Sequence, residues 1–289
     1  MKSICIISDS YYPEKTAAAK LINDLVIELC KKNLITLITV GKKNEIIRKK
    51  NIYIIRKKVP FIKSKNLYLK FIGELFMSFL LKKEYLKNIK FSYDLLICYS
   101  PSIFFTSLIQ NIKMKKGSKK LVLIRDIFPD WLLDTGFFKK NSMIFKFLKN
   151  RQKQFYNCFD VLAVQSSYDK RYIKKIILKD KLLITIKNWI KLKKYIPTFN
   201  LKKTKSKFVF AGNIGLGQDL EFLIKFISVI NLHFDRFKFY IIGDGRGNQI
   251  LRQKLDNLNY KNYYFINKIS QNKYEKYLSK FDVGIISLK

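Results

Sequence analysis

The chain has 289 residues, 48% of them hydrophobic, and carries a formal net charge of +37. That length and apolar content exclude an intrinsically disordered chain and predict one large or two medium domains. No apolar run reaches the ~18 residues that span a bilayer, and the opening stretch, followed at once by Asp9, is too short for a signal peptide.

In chain order, strands are predicted at 3–8, 34–40, 52–56, 94–100, 120–126, 161–166 and 182–188, then at 208–213, 239–245, 263–267 and 283–288. Most are unbroken apolar runs without alternation, the pattern of strands covered on both faces. Helical periodicity fills the intervals, as in 220–230, where Leu220, Leu223, Ile224, Ile227 and Ile230 fall on one face. Such alternation predicts an α/β fold with parallel, doubly wound sheets. The Lys-rich stretch 191–204, with Pro197, breaks the pattern and reads as a linker. Two Rossmann-like domains are therefore expected, 1–190 and 205–289, the second short, with only four strands.

Open parallel sheets bind ligands beyond the carboxyl ends of their strands. At the first such end the sequence reads SDSYYPEKTAAAK, with Tyr12 and Glu14 in a loop and Ala17, Ala18 and Ala19 opening a helix. Small side chains there let a ligand approach the helix N-terminus; an ordinary capped helix packed through its alanines reads the same way. In VLIRDIFPDW, Asp126 ends a strand, placed to act as a base or to accept a sugar hydroxyl, or simply to cap a helix. FAGNIGLGQDLE brings Gly212, Asn213, Gly215, Gly217 and Gln218 to one turn, and IIGDGRGN brings Gly243, Asp244 and Gly245 to another. Glycine lets a phosphate sit close to backbone N–H groups, and two such turns in consecutive βα units open on the same sheet edge.

In 61–90, Leu67, Phe71, Leu75 and Phe79 share a helical face flanked by lysines, a pattern of either an interfacial membrane contact or a core helix with a solvated rim. The positive charge itself, mostly Lys among abundant Ile, Asn, Phe and Tyr, fits an AT-rich coding bias as well as an anionic partner. Cys5, Cys30, Cys98 and Cys158 are scattered without a metal-binding spacing and are expected to be reduced thiols. One histidine, His233, argues against zinc hydrolase and Ser-His-Asp chemistry. A nucleic-acid reading rests on charge alone, with no recognition helix or stacking platform, and no specific nucleic-acid partner is expected.

Taken in order, the Tyr-Pro-Glu loop, RDIFPD, IKNWI, FAGNIGLGQDLE, IIGDG and FDVGIISLK resemble the GT-B glycosyltransferases of family 4, closest to the branch that assembles bacterial O-antigen and capsule. The resemblance covers nearly the whole chain. It implies retaining transfer of a sugar, of the N-acetylhexosamine type, from a UDP-sugar to a polyprenyl-diphosphate-linked glycan, without metal or other cofactor. By position, Gly212, Asn213, Gly215 and Gln218 match the phosphate-side donor loop, and Gly243, Asp244 and Gly245 the second donor-side turn. Tyr12, Glu14, Ala17 and Ala18 match the loop facing the donor phosphates and acceptor. Asp126 matches the position that contacts the transferred sugar or the acceptor, and Asn188 the turn into the hinge. A cytoplasmic protein at the anionic inner face of the plasma membrane is implied.

Two departures qualify this. Asn213 and Gln218 stand in the neighbourhoods where many members carry an Arg and a Lys against the diphosphate. The pair of glutamates, E-x7-E in motif form, that follows the DVGIISL strand in the family is not in the sequence, so the resemblance implies an incomplete C-terminal domain and a shortened chain with weak turnover. A non-catalytic GT-B-like partner in a polysaccharide assembly complex is the alternative.

Overall fold

The computed structural model describes residues 1–288 apart from 63, 65, 101, 131–132, 134–138, 179, 191–205, 216–217, 233–235, 259, 261, 268 and 270. The expected linker 191–204, together with Trp131, Gly217 and His233, lies outside the described residues, as does the side chain of Leu67. The chain divides into two compact units, Met1–Leu192 and Lys193–Lys289.

In the first unit β1 (Lys2–Ser8), β2 (Asn33–Gly41), β3 (Glu45–Lys49), β4 (Ile52–Lys58), β5 (Tyr93–Ser100), β6 (Met114–Ile124), β7 (Val161–Val164) and β8 (Leu182–Thr185) form one sheet. Their order is β3-β4-β2-β1-β5-β6-β7-β8, parallel throughout except where β3 runs antiparallel to β4. The chain builds outward from β1 to β2 and β4, then returns to the other side of β1 as β5. This reversal makes the carboxyl ends of β1 and β5 the topological switch point, where a crevice opens.

The strand register shows why the apolar runs are unbroken. Ile4 and Ile6 face Ile22 and Val26 of α1 (Ala17–Leu29) on one side of the sheet. Cys5 and Ile7 face Met77, Leu81 and Tyr85 of α2 (Leu67–Asn88) on the other. The second side also receives Leu108 of α3 (Thr106–Asn111), Leu148 and Phe155 of α4 (Met143–Asn157), and Ile173 of α5 (Ser167–Lys174). Each buried Ile, Leu or Phe contributes roughly 2 kcal/mol, so both layers are needed to hold the sheet. All four cysteines are free thiols, Cys5 and Cys98 buried and Cys30 and Cys158 half-buried.

One expected helical face is divided. Phe71 turns inward onto Phe104, edge to face at 5.8 Å, whereas Leu75 and Phe79 are exposed. Both sides of α2 are apolar, so spacing alone merges them.

The second unit holds β9 (Ser206–Asn213), β10 (Phe237–Asp244), β11 (Tyr263–Ile266) and β12 (Val283–Ile285) in a parallel sheet of order β11-β10-β9-β12. Here the reversal falls between β9 and β12, putting the switch point at the carboxyl end of β9. On one face α6 (Leu220–Asn231) and α7 (Asn248–Asn257) bury Leu223, Ile227, Ile230, Leu251 and Leu255 against Phe210, Phe239 and Ile241. Leu220 and Ile224 are only partly covered. On the other face Tyr240 stacks on Tyr264 at 4.9 Å and meets Phe281 at 5.0 Å. Tyr274, on α8 (Gln271–Leu278), donates its hydroxyl to the Ala211 carbonyl at 2.9 Å.

Candidate functional site

At the first switch point the chain leaves β1 through a loop that is knitted by hydroxyls. The Ser8 hydroxyl donates to the Ser10 carbonyl at 2.8 Å, and the Ser10 hydroxyl donates to Glu14 Oε2 at 2.9 Å. Ser10 Oγ also lies 2.8 Å from Thr16 Oγ1, and Thr16 caps α1 by accepting from the Ala19 amide at 3.1 Å. Of the small residues, Ala17 is exposed, Ala18 packs partly against the core and Ala19 is buried. Tyr11 is buried, so its neighbour Tyr12 is thrown outward, 65% exposed.

The Tyr12 carbonyl accepts from Arg56 Nη2 at 2.5 Å, while Arg56 Nη1 pairs with Glu45. The aliphatic part of this side chain runs over Gly41, where a Cβ would come within 2.2 Å of Arg56 Cδ. The unexpected strand β3 thus has a positional role: it supplies the Glu45 carboxylate that fixes the arginine under the loop.

Across β5, β6 ends at Ile124 and delivers Arg125 and Asp126. The two differ sharply. Arg125 stacks between Trp189 and Tyr99, with its carbon Cζ 5.1 and 5.9 Å from their ring centres, and donates from Nη1 to the Ile186 carbonyl at 2.9 Å. Asp126 is exposed, yet the surrounding protein raises its carboxyl above the ordinary range by desolvation. Asp130, four positions on, is held by Lys149 at 3.1 Å, by Gln152 at 3.1 Å and by the Tyr172 hydroxyl at 2.5 Å, and is a structural carboxylate. Tyr99 is the penultimate residue of β5, its ring against Arg125. Burial pushes its phenol up to about 12, and it interacts with the charges of Arg125, Asp126 and Asp9. Tyr99 and Asp9 therefore interact at this edge: Asp9 lies within the SDSYYPEKTAAAK stretch, whereas Tyr99 stands in no motif.

Asn188 is exposed in the segment after β8. That segment is tied down on both sides, by Ile186 N–H to the Val164 carbonyl at 2.8 Å and by the Trp189 indole N–H to the Leu21 carbonyl at 3.1 Å.

In the second unit, β9 and β10 end side by side with Gly212 opposite Gly243 and Asn213 opposite Asp244. Gly243 has φ of +144°, and a Cβ there would lie 1.8 Å from the Gly212 carbonyl oxygen. A Cβ on Gly245 would lie 2.3 Å from the Ile214 carbonyl oxygen. Only glycine allows backbones so close. The two turns are then cross-linked: Ile214 N–H donates to the Asp244 carbonyl at 3.0 Å, and Gly247 N–H donates to the Ile214 carbonyl at 2.8 Å. A Cβ on Gly212, by contrast, would meet nothing within 4 Å among the described residues, which leave this turn an open face.

The nearby amides are engaged by side chains of the loop itself. Gly215 N–H donates to Gln218 Oε1 at 2.9 Å, and Asp219 caps α6 by accepting from Phe222 N–H at 2.9 Å. Asp244 Oδ1 accepts from Gly245 N–H at 2.8 Å. An anion reaching the Gly215 amide has to displace the Gln218 carboxamide, an exchange of one acceptor for a stronger, charged one. The hydroxyl of Ser287, just past β12, donates to the Asp219 carbonyl at 2.7 Å, which ties the third strand end to the same place. Among the described residues no group of three His, Cys, Asp or Glu side chains is gathered closely enough to hold a metal ion.

Two Rossmann-like units, each with its loop cluster at a parallel-sheet switch point, define a GT-B type of α/β fold. The backbone is similar over 99% of this chain to 78% of the E. coli trehalose-6-phosphate structure bound with UDP-2-fluoro glucose (TM-score 0.67, 12% identity). It is similar over 100% of this chain to 77% of the α,α-trehalose 6-phosphate synthase of Burkholderia multivorans (TM-score 0.66, 10% identity). The S. aureus TarM complex with UDP is similar over 71% of this chain and 39% of its own (TM-score 0.51, 20% identity). In sequence, the chain is 29% identical over 138 residues to a Pseudomonas aeruginosa protein described as "Probable glycosyltransferase WbjE". That match takes in 45% of this chain and 34% of the relative. No protein-family model matches.

Proposed function

We propose that the chain is a retaining glycosyltransferase of family 4, in the surface-polysaccharide branch, moving an N-acetylhexosamine-type sugar from a UDP-sugar to a lipid-linked glycan at the inner membrane face, without a metal. The observation that carries this reading is the pair of fused glycine turns, Gly212 opposite Gly243, at the β9 switch point with an open face above Gly212. The WbjE likeness and the GT-B backbone support it.

In this mechanism the donor diphosphate lies over Gly212 and Asn213 and takes the Gly215 amide from Gln218. The bond from the anomeric carbon to the phosphate oxygen breaks as the acceptor hydroxyl bonds to that carbon from the same face. The hydroxyl proton passes to the departing phosphate oxygen, so no protein nucleophile is required. Amides aimed at that oxygen stabilise the charge it gains. Asp126, at the β6 edge, accepts a hydrogen bond from a sugar or acceptor hydroxyl, and the Tyr12–Glu14 loop, with Ala17 and Ala18 behind it, shapes the acceptor side.

The test is incubation of the chain with labelled UDP-N-acetylglucosamine, other UDP-sugars and a polyprenyl-diphosphate-linked glycan, followed by analysis of the anomeric linkage. A product that keeps the donor's configuration supports the reading. Tight UDP binding with no transfer to any acceptor favours a non-catalytic partner, for which the side-chain-capped amides of Gly215 and Phe222 are the specific observation.

A further inference from the structure

Helix α2 has two apolar faces, and the core needs only one. The inner face presents Phe71, Met77, Leu81 and Tyr85 to the sheet. The outer face carries Tyr68, Ile72, Leu75, Phe76, Phe79 and Leu86, all exposed, with Tyr68 at 82%, Phe76 at 58% and Phe79 at 63%. At 100° per residue these six fall within an arc of about 100°, and they run for roughly 27 Å along the helix at 1.5 Å per residue. Scattered exposed apolar residues need no explanation; six gathered on one helical face, three of them aromatic, do.

Its borders are basic. By helical position Lys82 and Lys87 flank the stripe on either side, with Lys83 in its last turns, and Lys83, Lys87 and Lys90 are exposed. Glu84, on the same helix, is already neutralised by Lys57 at 2.9 Å. The preceding loop adds to the surface. Its Pro60–Ile62 backbone lies against Gly73, where a Cβ would come within 2.6 Å of the Pro60 carbonyl oxygen. Between them Phe61 is 53% exposed and has φ of +60°, a left-handed conformation that a bulky residue holds only under constraint.

We infer that this face of α2, with Phe61, docks flat on an anionic lipid bilayer, the aromatic stripe entering the headgroup–acyl boundary and the flanking lysines meeting lipid phosphates. Charge complementarity selects this occupant: a +37 chain repels a second copy of itself, and a basic-bordered apolar stripe matches an anionic interface. Among the described residues no helix is long and apolar enough to cross a membrane, so the contact is on the surface. The placement suits the site. The β4 carboxyl end leads into the start of α2, and Glu74 near that start is close enough to Asp9, at the β1 edge, for their charges to interact. A lipid-carried acceptor would thus be presented to the Tyr12 loop from the bilayer.

This inference rests on the lipid-linked acceptor of the proposed function for its purpose, and its test is independent of turnover. The full chain is sedimented with phosphatidylglycerol–phosphatidylcholine vesicles and with pure phosphatidylcholine vesicles. Strong binding to the first and at least ten-fold weaker binding to the second is expected. The double change Phe76→Ser with Phe79→Ser should lower binding at least ten-fold, and Lys83→Glu with Lys87→Glu should do so at low salt, each with an unchanged melting temperature because these side chains are exposed. Wild-type binding by the Phe76→Ser, Phe79→Ser chain overturns the proposal, as does a wild-type dimer that those changes convert to monomer. Transfer to a water-soluble acceptor separates the two readings: a chain that transfers but does not dock defeats the docking face alone, and one that docks but transfers nothing defeats the enzymatic reading alone.

Discussion

The Gly212 carbonyl oxygen occupies the space that a Cβ on Gly243 would need, 1.8 Å from that position. Two parallel strands, β9 and β10, are thereby brought into contact through their backbones at their carboxyl ends, next to the switch point between β9 and β12. The consequences for the two glycines are opposite. Gly243→Ala meets both a φ of +144° and the Gly212 backbone, so the second unit should lose on the order of 3 kcal/mol or fail to fold, seen as a collapsed or lowered thermal transition. Gly212→Ala has open space and should melt as the wild type does.

Asp126 and Asp130 should separate chemistry from architecture. Asp130→Asn disturbs a carboxylate bonded by Lys149, Gln152 and Tyr172 and is expected to cost about 2 kcal/mol while leaving UDP affinity unchanged. Asp126→Asn should leave the melting temperature intact or slightly raised at neutral pH and lower transfer at least ten-fold. Equal transfer by the Asp126→Asn chain and wild type would remove Asp126 from the site.

Glu74 predicts the sign of a pH dependence. Burial raises its carboxyl from 4.5 to about 7, with Lys70 opposing and Asp9 reinforcing the shift. The folded chain therefore holds this proton more tightly than the unfolded one. Stability from this group is fully present below about 4.5 and is lost as pH rises through about 7, by roughly 3 kcal/mol at most. Glu74→Gln should flatten that part of the profile of melting temperature against pH. A stability that rises over the same window in wild type and not in the variant would contradict the assignment.

Arg56 is expected to act on the Tyr12 loop from beneath. Arg56→Lys cannot serve Glu45 and the Tyr12 carbonyl together, and about 1–3 kcal/mol of stability should be lost. If the loop orders the acceptor, KM for the acceptor should rise several-fold while the Kd for UDP stays constant. Retention of KM in a destabilised variant would make Arg56 structural only.

Much of this fold is legible in the residues because a strand covered on both faces is apolar at successive positions, as Ile4, Cys5, Ile6 and Ile7 of β1 are. The second glycine turn is equally visible, since backbone contact at Gly243 and Gly245 leaves no substitute for glycine. Other features carry no local mark. Strand β3, Glu45–Lys49, has only Ile46 and Ile47 between charges; it exists because β4 offers an open edge. Tyr99 ends an ordinary apolar run, and its central place follows from strand order, which no short segment encodes. In α2, two apolar faces overlap in one heptad pattern, so Phe71 and Phe79 look alike until the sheet chooses between them.

Whether a nucleoside diphosphate sits on the open Gly212 turn is decided by titrating UDP into the wild-type and Gly212→Ala chains in a calorimeter. Saturable binding to the wild type is expected, with at least ten-fold weaker binding to the variant at equal melting temperature. No binding to the wild type, or equal affinity in both chains, would contradict that placement.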